Sequence, residues 1–254
     1  MFGLQNFRGS CWVNACLQGI FRIPEVQNHY SEKNILENEN EIDSSLQKIW
    51  RSNGKDGLKQ FFQSVKHVSL PTGKDVGDSH ELLIYLLDKL PWLESLCKFQ
   101  VADSIECTEC DYKSLKEDTK IELSLFPSGK EKTITDCIAK EVITSIPEGS
   151  KCEKCEKPYK KQLLLGSFPK VLILHVFSNQ NTKVQYSSIL VVNSHKYGLI
   201  SILSYNGAHW WSYGRNKVGD NWYTLDDTHV VQHRADEFPL SGTMRILIYY
   251  QLDE

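Results

Sequence analysis

Apolar positions in the first third of the chain recur with the period of an α-helix. Between residues 78 and 90 they fall at 82, 83, 86, 87 and 90, the spacing of an amphipathic helix. Asp78 or Ser79 is placed to cap this helix, and Pro91 ends it. The same period predicts further helices at residues 11–21, 35–50 and 57–67. Residues 1–98 are therefore predicted to be mainly helical.

From Leu163 onward the pattern changes to short apolar runs separated by turn signals. Asn206-Gly207 and Gly219–Asn221 have the composition of tight turns. The runs between such signals predict strands at residues 171–177, 197–203, 209–214, 222–225 and 244–250. Residues 99–170 differ from both parts, with paired cysteines, many lysines and short alternating runs such as 120–126. Helices followed by a sheet predict an α+β fold.

Composition and charge narrow the class of protein. The chain has 254 residues, 41% of them hydrophobic, enough for a core at the upper size of one domain. A formal net charge of −3 gives no electrostatic footprint for nucleic acid or an anionic membrane. The apolar run 171–177 is too short to span a bilayer, and residues 1–18 lack a secretory signal pattern. We therefore expect a location in the cytoplasm or nucleus, without nucleic-acid or membrane partners.

Cys11 is the first candidate for chemistry. It opens the first predicted helix, where the helix dipole and unpaired N–H groups favour a thiolate. Buried structural cysteines are common, so the position alone favours a core residue over a nucleophile. Asn6, five residues earlier on a glycine-containing loop, is placed to donate to an oxyanion, although Asn in such a stretch is usually a turn residue.

A histidine and an aspartate far along the chain supply the remaining groups of a thiol hydrolase. His209 and Asp226 fall on consecutive predicted strands, so we expect them side by side across an antiparallel pair. Asp226 would then hold the His209 imidazole in the tautomer that activates Cys11. Each residue also has an ordinary structural role in such positions, and the combination arises by chance in most proteins.

Four segments together resemble the characteristic boxes of the ubiquitin-specific proteases. They are residues 3–18 (GLQNFRGSCWVNACLQ, the cysteine box), 76–83 (VGDSHELL, the glutamine-aspartate box), 168–175 (FPKVLILH, the strand before the blocking loops), and 208–213 with 222–230 (AHWWSY and WYTLDDTHV, the histidine box). The matches follow the family's order over most of the chain, which makes the resemblance specific.

The resemblance implies a papain-like fold with thumb, palm and fingers, and cleavage after the C-terminal glycine of ubiquitin or a ubiquitin-like modifier. It implies these roles: Cys11 as nucleophile, His209 as base, Asp226 as third member, Asn6 as oxyanion donor and Asp227 as a helper. Under this interpretation the chain is one catalytic domain and a monomer. Its parts are a helical thumb (1–98), zinc-binding fingers (99–165) and a mainly β palm (166–254).

The chain departs from the family pattern near these motifs. The glycine usual before the histidine is Ala208, and the tyrosine usual after it is Trp210. Only residues 204–208 separate the strand predicted at 197–203 from His209, which leaves little room for a second blocking loop. This compactness resembles the SUMO-specific branch of the same family.

Two Cys-x-x-Cys pairs give the second chemical signal. Four thiolates at zinc-knuckle spacing suit tetrahedral zinc: Cys107, Cys110, Cys152 and Cys155. The 41 residues between the pairs call for a hairpin or a helix, for which residues 133–141 are suited. Because all four ligands come from the protein, we expect structural zinc and no catalytic cofactor. Unrelated pairs or a redox dithiol are the alternatives.

Candidate substrate contacts also follow from the resemblance. Asp78 and Glu81 lie one helical turn apart, where the dipole favours acids, and the acid of this box implies a contact with an arginine in the ubiquitin tail. The SUMO tail lacks that arginine, so this clue favours ubiquitin. Gly207 is expected to let a Gly-Gly tail approach the backbone. Trp210 or Trp211, on opposite faces of one strand, is expected to line its tunnel.

Other functions compete with a thiol isopeptidase. A silent modifier-binding module does not need Asn6, Cys11, His209 and Asp226 together. The charge of −3 disfavours a zinc-ribbon protein that binds nucleic acid or acts as a scaffold. Coordination by four cysteines disfavours a hydrolase that uses the zinc for catalysis. The sequence therefore predicts an isopeptidase for ubiquitin, with a SUMO isopeptidase and a silent binding module as alternatives.

Overall fold

The computed structural model describes residues 1–7, 9–32, 40–65, 77–177, 184–236 and 243–252. The start of the helix predicted at 35–50, the end of the one predicted at 57–67, and Val76 of the glutamine-aspartate box lie outside these ranges. Within them, no helix has the length and apolar character needed to cross a membrane.

Helices occupy the first part of the described chain. They are α1 Cys11–Ile20, α2 Pro24–Glu32, α3 Glu41–Arg51, α4 Leu58–Ser64, α5 Ser79–Lys89 and α6 Pro91–Cys97. Asp78 caps α5 by accepting a hydrogen bond from the His80 backbone N–H at 2.7 Å. Pro91 follows the last turn of α5 and is also the first residue of α6, where a missing N–H costs nothing. The apolar period did not predict α2 or α6.

Helix α1 is buried over its whole length. All ten of its residues are buried, because it lies between the other helices and the sheet described below. Leu17 and Ile20 are at most 1% exposed and belong to one core with Leu83 and Leu203. Each such side chain contributes about 1.5–3 kcal/mol through burial. This packing fixes the start of α1, and with it Cys11.

A separate three-stranded antiparallel sheet follows the helices. Its strands are β1 Phe99–Cys107, β2 Lys113–Lys120 and β4 Tyr159–Leu165, in the order β2-β1-β4. Between β2 and β4 the chain forms β3 Leu123–Leu125 and α7 Ile134–Val142. Thr133 and Asp136 form a reciprocal capping box at the start of α7. The helix predicted at 133–141 between the cysteine pairs is therefore present.

The main sheet contains β3 and most of the C-terminal half of the chain. Its other strands are β5 Val171–Val176, β6 Ile189–Val192, β7 His195–Tyr205, β8 Trp210–Gly214, β9 Trp222–Asp226, β10 His229–His233 and β11 Met244–Gln251. The order is β10-β9-β8-β7-β11-β5-β3, with β6 paired to β7. Every pair is antiparallel except β3 with β5.

The prediction of an α+β fold is confirmed, with helices first and strands after them. The division into thumb, fingers and palm at residues 98 and 165 stays a prediction. One strand crosses it, since β3 lies inside the predicted fingers segment but pairs with β5 of the main sheet.

Candidate active site

Cys11 is the first residue of α1, and its side chain lies where this helix meets β8. The residue is 3% exposed. Burial raises the pKa of the Cys11 thiol, and the Asp227 carboxylate adds to the rise, although the backbone N–H groups of Trp210 and Trp12 oppose it. In the free protein, burial therefore outweighs the preference for a thiolate that a helix N-terminus provides.

His209 and Asp226 meet at the same end of the sheet. His209 immediately precedes β8 and Asp226 ends β9, and these strands are antiparallel neighbours. The Nε2 atom of His209 lies 2.6 Å from Oδ1 of Asp226, so Nδ1 is the nitrogen left to exchange a proton with a thiol. Among the described residues, no hydrogen bond yet joins Cys11 to His209. The structure brings the histidine and the aspartate together as expected, and their catalytic roles stay predictions.

A tight turn orients the backbone of His209. The Oδ1 atom of Asn206 accepts hydrogen bonds from the N–H groups of Ala208 and His209 at 3.0 and 2.9 Å. Gly207 has a φ of +101°, a conformation that favours glycine, and its carbonyl accepts from the Tyr205 hydroxyl at 2.7 Å. The sequence predicted a turn at Asn206-Gly207 and a substrate contact at Gly207, but it did not predict that Asn206 orients the backbone of His209.

Asp227 connects the segment before Cys11 to the end of β9. Its Oδ2 accepts from Asn6 Nδ2 at 2.7 Å, and its Oδ1 accepts from Asn14 Nδ2 at 2.8 Å. Asn6 Oδ1 in turn accepts from the N–H groups of Gly9 and Ser10, both at 3.0 Å. Asn6 therefore shapes the loop leading to the thiol, and one N–H of its Nδ2 remains for an oxyanion.

Asn14 is a residue that the sequence reasoning missed. It lies one turn after Cys11 on α1 and is 2% exposed. Its amide donates to Asp227 and lies 3.3 Å from the carbonyls of Leu4 and Gln5. The available signal was a polar residue three positions after the thiol in a mostly apolar helix.

We expect Asp227→Ala to lower the free energy of unfolding by about 2–3 kcal/mol, because two charge-assisted hydrogen bonds disappear and leave Asn14 without its carboxylate partner. Urea unfolding followed by circular dichroism measures the change. Asp88→Ala is the matched control, since Asp88 is an exposed helix residue paired with its neighbour Lys89 at 2.7 Å. Equal losses in the two variants would contradict the role given to Asp227.

The residues proposed from the sequence as substrate contacts differ in their exposure and in the contacts they already make. Asp78 is committed to capping α5, and Glu81 is exposed one turn later. The Trp210 ring is 4% exposed and stacked on Tyr205 at 4.8 Å, whereas Trp211 is only partly buried and lies with its ring parallel to that of His209 at 6.3 Å. Of the two tryptophans, Trp211 is the accessible one. The binding roles stay predictions.

The four cysteines of the two pairs converge at the tip of the three-stranded sheet. Cys107 and Cys155 place their sulfurs 3.5 Å apart, Cys110 and Cys152 place theirs 3.8 Å apart, and all four lie within 4.8 Å of one another. Tetrahedral zinc with Zn–S distances of about 2.3 Å requires S–S distances of about 3.8 Å. The arrangement therefore fits a four-thiolate metal site.

Backbone donors prepare these sulfurs for a metal. The N–H of Glu109 donates to Cys107 Sγ, and the N–H of Lys154 donates to Cys152 Sγ, both at 3.4 Å. The Glu109 N–H is the largest cause that lowers the pKa of the Cys107 thiol to about 6. Thiolates stabilised by N–H groups are the form that binds zinc.

A thiol at the start of a buried helix, with a histidine–aspartate pair on adjacent strands, places the protein in the class of papain-like cysteine hydrolases. A family model described as ubiquitin carboxyl-terminal hydrolase matches residues 2–249. The chain belongs to this family, and the resemblance to ubiquitin-specific proteases is confirmed.

Relatives with curated descriptions are distant in sequence but match almost the whole chain. Ubiquitin carboxyl-terminal hydrolase 2 of Rattus norvegicus is 22% identical over 98% of this chain and 54% of its own length. The Homo sapiens protein of that name is also 22% identical, over 98% of this chain and 55% of its own length. Ubiquitin carboxyl-terminal hydrolase 23 of Arabidopsis thaliana is 22% identical over 99% of this chain and 35% of its own length. The chain thus spans about half the length of the first two relatives.

Solved structures share the fold. The SAGA DUB module of Ubp8, Sgf11, Sus1 and Sgf73 bound to monoubiquitin matches with a TM-score of 0.84 and 17% identity, over 100% of this chain and 69% of that one. The module bound to ubiquitin aldehyde matches with a TM-score of 0.81 and 17% identity, over 100% of this chain and 70% of that one. A structure of the yeast module matches with a TM-score of 0.84 and 17% identity, over 100% of this chain and 69% of that one. These matches confirm the predicted fold, and the four close cysteines fit the zinc-binding fingers expected in it.

Proposed function

We propose that the protein is a thiol-dependent deubiquitinase that cleaves after the C-terminal glycine of ubiquitin. The observation that carries this proposal is the junction of α1 and β8. There Cys11 is the first residue of α1, and His209, which immediately precedes β8, places its Nε2 atom 2.6 Å from Asp226 Oδ1. A nucleophile, a base and an orienting carboxylate thus share one end of the sheet.

The reaction has two steps. His209 takes the proton of the Cys11 thiol while the sulfur attacks the carbonyl carbon of the terminal glycine. Asn6 Nδ2 and backbone N–H groups near Cys11 donate to the oxyanion of the tetrahedral intermediate. His209 then protonates the leaving lysine amine, which leaves a thioester on Cys11. Water, deprotonated by His209, hydrolyses the thioester and releases the glycine carboxylate and the free thiol.

Ubiquitin is the modifier that the comparisons support. The named relatives are ubiquitin hydrolases, and two of the matched structures contain monoubiquitin or ubiquitin aldehyde. Asp78, for which the resemblance implies a contact with the basic ubiquitin tail, has a second carboxylate oxygen besides the one that caps α5. A SUMO isopeptidase is the second candidate, because the turn of residues 206–208 between β7 and His209 is short. The monomeric state and the location in cytoplasm or nucleus stay predictions.

Activity-based probes separate these functions. Ubiquitin and SUMO, each with a C-terminal propargylamide, are incubated with the protein, and the adducts are counted by intact mass. We expect an adduct with the ubiquitin probe and none with the SUMO probe. Labelling by the SUMO probe alone would move the assignment to the second candidate, and labelling by neither would leave a silent binding module.

The raised pKa of Cys11 predicts the pH dependence of its alkylation. Burial raises the pKa above the ordinary value of 9.0, so the thiolate is scarce at neutral pH in the free protein. We expect iodoacetamide modification of the Cys11 peptide, measured by mass spectrometry, to be slow at pH 7 and to rise steadily beyond pH 9. A plateau already at pH 7 would instead show a thiolate paired with imidazolium before substrate binds.

We also propose that the four-cysteine cluster holds one structural zinc ion, because its sulfur spacing fits tetrahedral coordination and its ligands leave no open position. When bound, this ion joins the β1–β2 turn to the segment before β4. Bound there, the ion would offset the negative charge of the four thiolates. All of its ligands come from the protein, so it takes no part in the reaction.

Replacing a cluster cysteine tests this zinc assignment. We expect Cys110→Ser to lose the ion by elemental analysis and to lower the free energy of unfolding by several kcal/mol, since zinc binding to such sites is part of folding. Cys137→Ala is the control, because Cys137 is buried in α7 away from the cluster. Equal zinc content in both variants would refute the assignment.

A further inference from the structure

We propose that His80, Glu122 and His175 form a second metal site, for a divalent transition-metal ion such as zinc, apart from both the four-cysteine cluster and Cys11. The proposal does not depend on the hydrolase function. It comes from three side chains that are far apart in sequence and meet between α5, β3 and β5.

The two imidazoles face opposite oxygens of one carboxylate. His80 Nε2 lies 2.7 Å from Glu122 Oε2, and His175 Nδ1 lies 3.8 Å from Glu122 Oε1. The imidazole rings stack with their centroids 3.7 Å apart and 29° between their planes. One ligand atom from each residue falls within 4.8 Å of the others, so a single ion can reach all three.

The His175 side of this cluster is incomplete without a ligand. His175 Nδ1 is buried and has no hydrogen-bond partner among the residues that the structure describes. The 3.8 Å gap to Glu122 is too long for a hydrogen bond and too short for a bridging water. An ion about 2.0–2.2 Å from each ligand atom spans such a gap. A buried polar atom left unpaired is costly, and a metal would satisfy it.

The chemistry of the set suits zinc and its neighbours. Two imidazole nitrogens and one carboxylate are a ligand set that zinc accepts with a fourth position for water. A divalent cation would neutralise the charge of the Glu122 carboxylate, whose side chain is only 14% exposed.

The location gives the site a structural consequence. The His80 side chain is 19% exposed, which provides an entry path, while the Phe177 ring covers His175 at 4.0 Å. Ser79, beside His80, donates its hydroxyl hydrogen bond to the Trp12 carbonyl at 2.7 Å. An ion bound here would link the start of α5 to the main sheet, close to Trp12, the residue that follows Cys11.

Zinc stoichiometry tests the proposal. The 254-residue chain is dialysed against excess Zn²⁺, and bound zinc per chain is measured by elemental analysis. We expect the wild type to bind one zinc more than His80→Ala and one more than His175→Ala. His229→Ala is the matched control, because His229 is an exposed histidine on β10, and it should bind as much as the wild type. Any zinc held at His209, Asp226 and Asp227 is common to all variants and cancels.

A second variant keeps the test valid if an alanine variant fails to fold. Glu122→Gln preserves the side-chain shape but removes the charge, and we expect it to weaken the additional zinc by at least about tenfold. Cobalt loaded at this site should show no sulfur-to-metal charge-transfer band, unlike cobalt at the four cysteines. Equal zinc in the wild type, His80→Ala and Glu122→Gln would overturn the proposal and leave a purely hydrogen-bonded cluster.

Discussion

Cys11→Ala is expected to reduce kcat/KM for ubiquitin carrying a C-terminal fluorogenic amide by about 10⁴-fold or more, because in the proposed mechanism the acyl intermediate forms on this sulfur. Loss of the sulfur removes few contacts, so the fold should persist. Circular dichroism and thermal unfolding verify that the variant is folded while its activity is measured.

The matched control for this prediction is Cys16→Ala. Cys16 lies on the same helix and is also buried, with 0% exposure. Its pKa is raised by burial, with the Asp78 charge adding to the effect, so it is an inert thiol. Cys16→Ala should keep activity within a few-fold of wild type. Retained activity in Cys11→Ala would remove Cys11 as the nucleophile.

His209→Ala is expected to lower kcat by about 10⁴-fold at neutral pH, because the buried Cys11 thiol then has no base to take its proton. Activity should return partly as pH rises and hydroxide forms the thiolate directly. The kcat–pH profile measured from about pH 6 to pH 10, on both sides of the ordinary thiol pKa of about 8.5, shows this change of slope.

Asp226→Asn refines the same prediction. The amide introduced by this substitution accepts the hydrogen bond at a similar position but cannot stabilise an imidazolium, so we expect a smaller loss, about 10²–10⁴-fold, with KM nearly unchanged. Asp236→Asn is the control, because Asp236 is exposed and pairs with Arg234 at 3.0 Å. A loss in Asp226→Asn no larger than in this control would separate Asp226 from the catalytic machinery.

Local signals predicted the parts of the fold that follow regular rules. The apolar period located α5 to within a residue at each end, and Asp78 caps it as expected. Alternating strand pattern and turn residues predicted that His209 and Asp226 meet across neighbouring strands, and they do meet at the adjacent ends of β8 and β9. The spacing of the cysteine pairs predicted their convergence, because four thiolates at that spacing rarely have another use.

The strands of the cysteine-bearing sheet escaped prediction for a physical reason. In β2, Lys113–Lys120, the side chains are mostly exposed on both faces, so no apolar alternation marks the strand. Its stability comes from the backbone ladder with β1 and from the tip that the cysteines would close. Helix α2 is similar, since only Val26 and Tyr30 of its nine residues are buried.

Tertiary contacts account for the rest of the site. No sequence rule says that Asp227 bonds Asn6 and Asn14 at once, because these contacts join residues more than 200 positions apart. The same holds for Glu122 between two distant histidines. Burial, also a tertiary property, determined that the free Cys11 thiol has a raised pKa and that Trp210 packs inward.

The most direct test of the central claim is peptide mapping of the adduct with ubiquitin propargylamide. The adduct is digested with trypsin, and tandem mass spectrometry locates the ubiquitin C-terminal remnant. The structure predicts the remnant on Cys11 alone, and His209→Ala should slow its formation. A remnant on Cys16 or on a cysteine of the four-cysteine cluster, or the absence of any adduct in folded protein, would contradict the account.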